Sequence, residues 1–333
     1  MRVSLSENAV REDRSLEFAE LEAIAAEARR PVPVRLYGQW VGALIVAVLF
    51  AMLVRTLIAN PGFQWHVVRH YFFTTLVLHG LWLTIELTVV SMVIAIALGI
   101  VLAVMRVSPN PILSGASSLY IWFFRGTPLL VQIIFWFNLA SLAPRLSLGV
   151  PFGPRFVTVE TNTVITTMVA AIVSLGLNEG AYMAEIVRAG ILSVDEGQID
   201  AAQALGMSRL RTMRRIILPQ AIRVIIPPTG NELIGQLKNT SLVSVIALME
   251  LLTTVEIVYQ ATFETIPLLL VAAIWYLVVT TVLSIGQSYI ERHYSRGSSR
   301  AQPPTFFQQL RKNFVTFHVG PPPKTSRMTE TAP

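Results

Sequence analysis

Cysteine is absent from this sequence. That excludes a disulfide framework, a Cys-ligated zinc site, a thiol nucleophile and an Fe–S cluster. Charge is scarce: Asp, Glu, Lys and Arg make up 14% of the 333 residues, against about 25% in soluble domains. Lysine occurs only as Lys238, Lys312 and Lys324, which follow Leu237, Arg311 and Pro323. A P-loop needs Gly-Lys, so the chain has no nucleotide site of that type. His66, His70, His79, His293 and His318 form no metal-spaced cluster on a helix. His66 and His70 are four residues apart but precede an apolar run, and read as interfacial or structural. No Ser/His/Asp constellation assembles from local spacing. The chain therefore reads as neither an enzyme nor a metal site.

Apolar residues, by contrast, are abundant. Hydrophobic residues make up 53% of the chain and the mean hydropathy is +0.58. The formal net charge is +6, and the basic residues come in groups: 6 of the 26 Lys and Arg lie in residues 1–35, 5 in 209–223 and 7 in 292–327. Long apolar runs separate these groups. That pattern fits the basic faces of a membrane protein and not a nucleic-acid-binding stripe.

Six apolar runs emerge. Trp40–Ala59 is about 20 residues, enough to cross a bilayer core of ~30 Å; Arg55 near its end can snorkel, and Asn60-Pro61-Gly62 closes it. The second runs from His79 to Arg106 and the third from Ala116 to Leu142. Residues 143–161, with Pro144, Gly149, Pro151, Gly153 and Pro154, read as a loop. The fourth run is Asn162–Val187. The fifth, Pro219–Leu252, carries Pro227-Pro228, Asn231, Glu232 and Lys238, and is expected to kink or break. The sixth is Ile266–Ile290. Residues 1–39 form a polar tail in which Leu16–Arg30 is either a short surface helix or solvated coil. Nothing there resembles a signal peptide. The tail 291–333, rich in proline, reads as disordered. Lys and Arg placement puts residues 1–39, 107–115, 188–218 and 291–333 in the cytoplasm, and 60–78, 143–161 and 253–265 on the opposite side.

The informative stretch is Asp200-Ala201-Ala202-Gln203-Ala204-Leu205-Gly206, followed nine residues later by Ile216-Ile217-Leu218-Pro219. It resembles the EAA loop of ABC importer permeases, with Asp200 where the family usually has Glu. Phe124-Arg125-Gly126-Thr127-Pro128-Leu129-Leu130-Val131-Gln132 and Gly180–Arg188 resemble the polar amino acid subfamily. So do Pro219–Arg223, Pro227-Pro228, Gly230-Asn231 and Leu237–Ser244. The resemblance covers roughly residues 76–290.

It implies an all-α integral membrane protein of the type I importer permease fold. A five-helix core (76–290, with its coupling loop at 188–219) would follow one added N-terminal helix (40–60), giving six spans with both ends in the cytoplasm. It also implies a bacterial cytoplasmic membrane location, an ATPase dimer that binds ATP and Mg, a second permease copy or paralogue, an extracytoplasmic binding protein, and no nucleic acid. In the family, the coupling helix rests in a groove of the ATPase. Asp200, Ala201, Ala202, Leu205 and Gly206 are the matching positions.

The residues of the loop give a physical reading of their own. Gln198–Leu205 can form about two turns of helix, some 12 Å long. Its alanines allow close approach, Gly206 can stop it and Pro219 starts the next element. The bland alternative is an amphipathic helix on the lipid surface, held by Arg209, Arg211, Arg214 and Arg215. Ionisable residues at membrane depth are costly and invite a functional reading. Glu86, Arg125, Glu179, Glu185, Glu232 and Lys238 either pair structurally or line a path. Glu86, Asn231, Thr240 and Ser241 are the candidates to border a translocation path for a polar amino acid. Gly176-x-x-x-Gly180 allows close helix packing, within this chain or against a second copy. Two other classes stay open: an ion-coupled secondary transporter, which broken helices with intramembrane acids suit, and a non-transporting membrane scaffold.

Overall fold

The structure, a computed structural model, describes residues 37–149 and 155–294. The Leu16–Arg30 stretch, the centre of the 143–161 loop and the tail from residue 295 onward lie outside the described residues. The chain divides into two units, residues 1–63 and 64–333. In the first, helix α1 spans Tyr37–Ala59. It is apolar around its whole circumference from Val41 to Val54, as a lipid-facing helix must be. Asn60 Oδ1 accepts the Gly62 N–H at 2.8 Å and ends it in a turn.

The second unit contains α2 (Trp65–Tyr71), α3 (Thr75–Val107), α4 (Pro111–Gly126), α5 (Leu129–Phe137), α6 (Thr167–Leu192), α7 (Glu196–Ala204), α8 (Leu218–Asn239), α9 (Leu251–Thr262) and α10 (Thr265–Tyr294). α3 runs its full length without a proline and stops before Ser108-Pro109-Asn110-Pro111. The same four residues start α4: the Asn110 side chain accepts the Ile112 N–H at 2.9 Å and Pro111 takes the first helical position.

α3 and α6 are the packed centre of this unit. A Cβ on Gly99 would lie 2.5 Å from Met183 Cβ, and one on Gly180 would lie 2.8 Å from Leu98 Cδ2. Only hydrogen at these positions lets the two backbones come so close. The Gly176-x-x-x-Gly180 pair therefore packs within this chain, with Gly176 against Ile94. Leu87, Ile133, Ala170, Ala171, Leu175, Val243 and Ile246 extend the buried core toward α5 and the end of α8.

Three expectations from the sequence are corrected. The run Ala116–Leu142 is not one straight crossing: α4 and α5 meet at an angle of 101°. The cause is Pro128, which pushes the preceding Thr127 out of helical geometry to φ −107°, ψ 141°. The fifth run does break, but not at its prolines. α8 continues through Pro227 and Pro228, where Thr229 Oγ1 donates to Ile225 O at 2.8 Å and Gln287 Nε2 to Pro227 O at 3.2 Å. The break follows a 3₁₀ segment, Thr240–Ile246, at Ala247 with φ 54°. α9 leaves there at 46° and fills most of residues 253–265, the stretch between the fifth and sixth apolar runs. Finally, the fold is not purely α: Arg145–Gly149 (β1) and Arg155–Glu160 (β2) pair as an antiparallel hairpin, with Arg145 opposite Glu160.

Among the described residues, α1, α3 and α10 are long and apolar enough to cross a membrane, and the two bent pairs raise the number to five. α6 has 26 residues, ample length, but Ser174, Asn178 and Glu179 dilute its apolar content.

Candidate functional site: a capped loop helix and a charged cavity

The loop between α6 and α8 is built around α7. Asp195 caps it, accepting the Gly197 N–H at 2.9 Å, and Glu196 in the first turn complements the helix dipole. At the other end, Met207 N–H donates to Ala202 O at 3.0 Å and Gly206 N–H to Gln203 O at 2.9 Å. This is the Schellman pairing, and it needs a left-handed residue, supplied by Gly206 at φ +69°. α7 is thus held at both ends by its own sequence.

Its attachment to the rest of the loop is equally specific. Val194, Ile217 and Ala221 form a buried cluster against which Ile199 packs. Gln220 Nε2 donates to Gln198 Oε1 at 2.6 Å. Ala202 is 1% exposed, so it faces inward. Asp200 and Ala201 are exposed. Leu205 at 81% and Leu210 at 78% exposed are left projecting from the loop. Before α8, residues Met213–Ile217 wind as a π-helix, which the sequence did not signal.

A second feature lies at the α4–α5 corner. A cavity of about 470 Å³ is lined by residues from three places: Arg125 to Leu129 at the corner, Asn178, Glu179 and Tyr182 on α6, and Glu232, Asn239 and Leu242 from α8 and its extension. The corner is pinned by side-chain amides. Gln132 Nε2 donates to Thr127 Oγ1 at 2.7 Å and to Phe124 O at 3.0 Å, and Asn178 Nδ2 donates to Phe124 O at 2.9 Å. The Arg125 guanidinium lies 5.1 Å from the centre of the Tyr182 ring, a cation–π distance. Glu179 is 3% exposed, and its Oε1 has no hydrogen-bond partner.

Of the residues proposed to border a path, none lines this cavity. Glu86 is exposed on α3. Asn231 is exposed on α8 and accepts from Gln287 Nε2 at 2.9 Å. Thr240 is buried and donates to Leu237 O at 2.7 Å, and Ser241 donates to Lys238 O at 2.7 Å. The structure brings together Arg125, Glu179 and Glu232 instead, which the sequence flagged only as polar residues at depth. Glu185 is the structural case, paired with Arg188 at 2.7 Å on the same helix.

Glu250 was missed. It is fully buried and caps α9, accepting the Leu252 N–H at 2.9 Å and the Thr253 N–H at 2.8 Å. Tyr276 OH donates to it at 3.0 Å from α10, and Thr84 Oγ1 lies 3.4 Å away on α3. An acid followed three residues later by Thr, just before an apolar helix, is the signal that would have found it.

Comparison with known proteins fixes the class. Residues 95–296 match the family described as binding-protein-dependent transport system inner membrane component, and this chain belongs to that family. It is a multi-pass inner-membrane permease subunit of an ABC importer, and ATP is hydrolysed by a partner ATPase. The chain is 48% identical over 271 residues to the arginine transport system permease protein ArgU of Corynebacterium glutamicum, covering 80% of this chain and 84% of that one. It is 34% identical over 238 residues to the L-cystine transport system permease protein TcyB of Bacillus subtilis, covering 71% and 94%. A crystal structure of an amino acid ABC transporter with histidines superposes with a TM-score of 0.56 at 36% identity, covering 66% of this chain and 95% of that one. The inward-facing MetNI methionine transporter shares the fold at 19% identity and a TM-score of 0.53.

Proposed function

We propose that this chain moves a polar amino acid across the cytoplasmic membrane as one half of a permease pair, with two ATPase subunits below and a binding protein outside. α1, α3, the α4–α5 pair, α6, the α8–α9 pair and α10 make six crossings with both ends in the cytoplasm. Residues 76–290 form the transport domain, 40–60 an added helix, and 188–219 the loop that meets the ATPase. The observation that carries this reading is α7 itself. It is capped at both ends and joined to the foot of α8, with Leu205 exposed at its C-terminal end and Leu210 exposed in the segment that follows. A stiff element seated on a moving partner passes on rigid-body motion. Asp200, Ala201, Leu205 and Gly206 are the positions that meet the ATPase. Ala202 sets α7 against the permease. ATP with Mg, bound in the ATPase, closes the pair and turns the cavity outward; hydrolysis resets it.

Gly206→Arg is the test. Open space surrounds Gly206, so the substitution causes no clash but forces a side chain into left-handed geometry, at about 1 kcal/mol. The loop helix loses its stop. The variant is expected to insert normally and to keep ATP hydrolysis in proteoliposomes while losing ATP-driven uptake. Wild-type uptake by this variant would remove the coupling role. Uptake that follows an ion gradient and ignores ATP would point to a secondary transporter.

A further inference from the structure

A groove of about 470 Å³ runs between α3, α8 and α10, away from the α4–α5 corner. Its walls are apolar: Met92 and Ile96 from α3, Ile226 and Leu233 from α8, Val282 and Ile290 from α10. Thr229 and Gln287 also line it, but their donors are spent inside the protein. Thr229 Oγ1 donates to Ile225 O at 2.8 Å, and Gln287 Nε2 lies within 3.2 Å of Pro227 O, Asn231 Oδ1 and Glu291 Oε1. Such a lining suits hydrocarbon and gives a polar solute little to bind. At Gly286 an added Cβ would meet nothing within 4 Å, so the α10 wall is cut back there. One end of the groove meets charge. Arg223 stands three residues before Ile226, on the same side of α8. It is exposed and forms no ion pair among the described residues. Arg214 and Arg215, at the foot of α8, are exposed too, whereas the acid at the end of α10, Glu291, already holds Gln287.

We propose that this groove holds an acyl chain of one anionic phospholipid of the cytoplasmic leaflet, with the phosphate at Arg223. Length selects the occupant. The rise along α8 from Arg223 to Leu233 is about 15 Å, half of a hydrocarbon core of ~30 Å. A lipid chain fills one leaflet, and so does the groove. A helix from a second permease copy crosses the whole core and would need a groove twice as long. Charge agrees with length, because basic pockets between membrane helices on the cytoplasmic side attract anionic head groups. The choice of leaflet rests on the importer reading above, in which α8 begins and α10 ends in the cytoplasm. The groove walls come from three separate crossings, so a seated chain packs the space between α8, which carries the loop to the ATPase, and its neighbours.

The test titrates the assembled permease–ATPase complex, in detergent, with palmitoyl-oleoyl phosphatidylglycerol or palmitoyl-oleoyl phosphatidylcholine. The two probes share their chains and differ in head-group charge. Native mass spectrometry counts the lipids bound. Wild type is expected to bind a first phosphatidylglycerol per permease chain about fivefold more tightly than phosphatidylcholine, the effect of one arginine at the head group. Arg223→Gln should bring the two lipids within about twofold by weakening phosphatidylglycerol alone. Gly286→Phe, which puts a ring into the open space of the groove, should weaken both at least about tenfold, because methylenes are kept out of the apolar site. Arg223 is exposed, so its variant carries the test if Gly286→Phe does not insert. Equal binding of the two lipids by wild type, a preference that survives Arg223→Gln, or unchanged binding by Gly286→Phe would overturn the assignment. So would a Gly286→Phe chain that inserts but no longer pairs, because the groove would then hold a second copy. Binding is read without ATP or substrate, so failure here leaves the importer reading intact. Absence of ATP-driven uptake would sink that reading and leave the lipid result standing.

Discussion

Glu250 shows how much a single buried side chain can hold. Its two oxygens receive donors from α9, from Tyr276 on α10 and from Thr84 on α3, so three elements meet at one carboxylate. Removing it leaves buried N–H groups unanswered, at about 1–3 kcal/mol each. Glu250→Ala is therefore expected to lower stability by about 3 kcal/mol, read as an earlier thermal unfolding midpoint in detergent, with Glu250→Gln intermediate. Gly99 makes the opposite kind of demand. Its missing Cβ is what admits Met183, so Gly99→Ala should cost about 1–3 kcal/mol through overpacking. At Gly115 an added methyl would meet nothing within 4 Å, so alanine there should cause no loss and up to about 1 kcal/mol of gain. If the same thermal scan ranks Gly115→Ala below Gly99→Ala, the close approach of α3 and α6 does not hold the centre together.

Among the elements, legibility followed the range of the interaction. The stop of α7 could be read from the sequence because it is local, Gly206 turning the chain after the alanines; its start lies at Glu196, two residues before the expected Gln198, because Asp195 caps it. α3 and α10 were equally plain, being long apolar runs. The α4–α5 bend was not, although Pro128 was in view, because an apolar run with one proline reads the same whether the chain kinks slightly or turns aside. The break at Ala247 was missed because it lacks both glycine and proline, and the visible prolines at 227 and 228 drew the expectation to the wrong place. The hairpin β1–β2 was hidden because Pro144, Gly149, Pro151, Gly153 and Pro154 made the stretch 143–161 read as a loop. The cavity was legible residue by residue but not as a set. Arg125, Glu179 and Glu232 lie on three separate segments, and only packing shows that they converge while Glu86 remains outside. At this scale the exposed pair Leu205 and Leu210 is the piece to alter. Their substitution by Asp should abolish co-purification with the ATPase, while the stability of the isolated permease stays within about 0.5 kcal/mol of wild type, as for exposed positions generally.

For the whole molecule, the orientation in the membrane can be checked directly, because the natural sequence contains no cysteine and any thiol introduced is unique. Leu210→Cys, in the loop after α7, should react with an impermeant thiol reagent only after the cells are opened. Ser147→Cys, exposed on β1, should react from outside in intact cells. The reverse pattern would invert every crossing and separate α7 from an ATPase on the cytoplasmic side.

The π-helix at Met213–Ile217 has a mechanical consequence. A π-turn holds one residue more than the α-helical turn it interrupts, so the chain stores spare length at the foot of α8. Deleting one residue there would rewind the segment as ordinary α-helix. Everything on its N-terminal side, Leu210 included, would then keep nearly the same bearing around the axis, because both forms complete one turn. A one-residue deletion within the regular part of α8 has no such slack, and would swing the proposed coupling knuckle about 100° to one side even though every residue of α7 were intact.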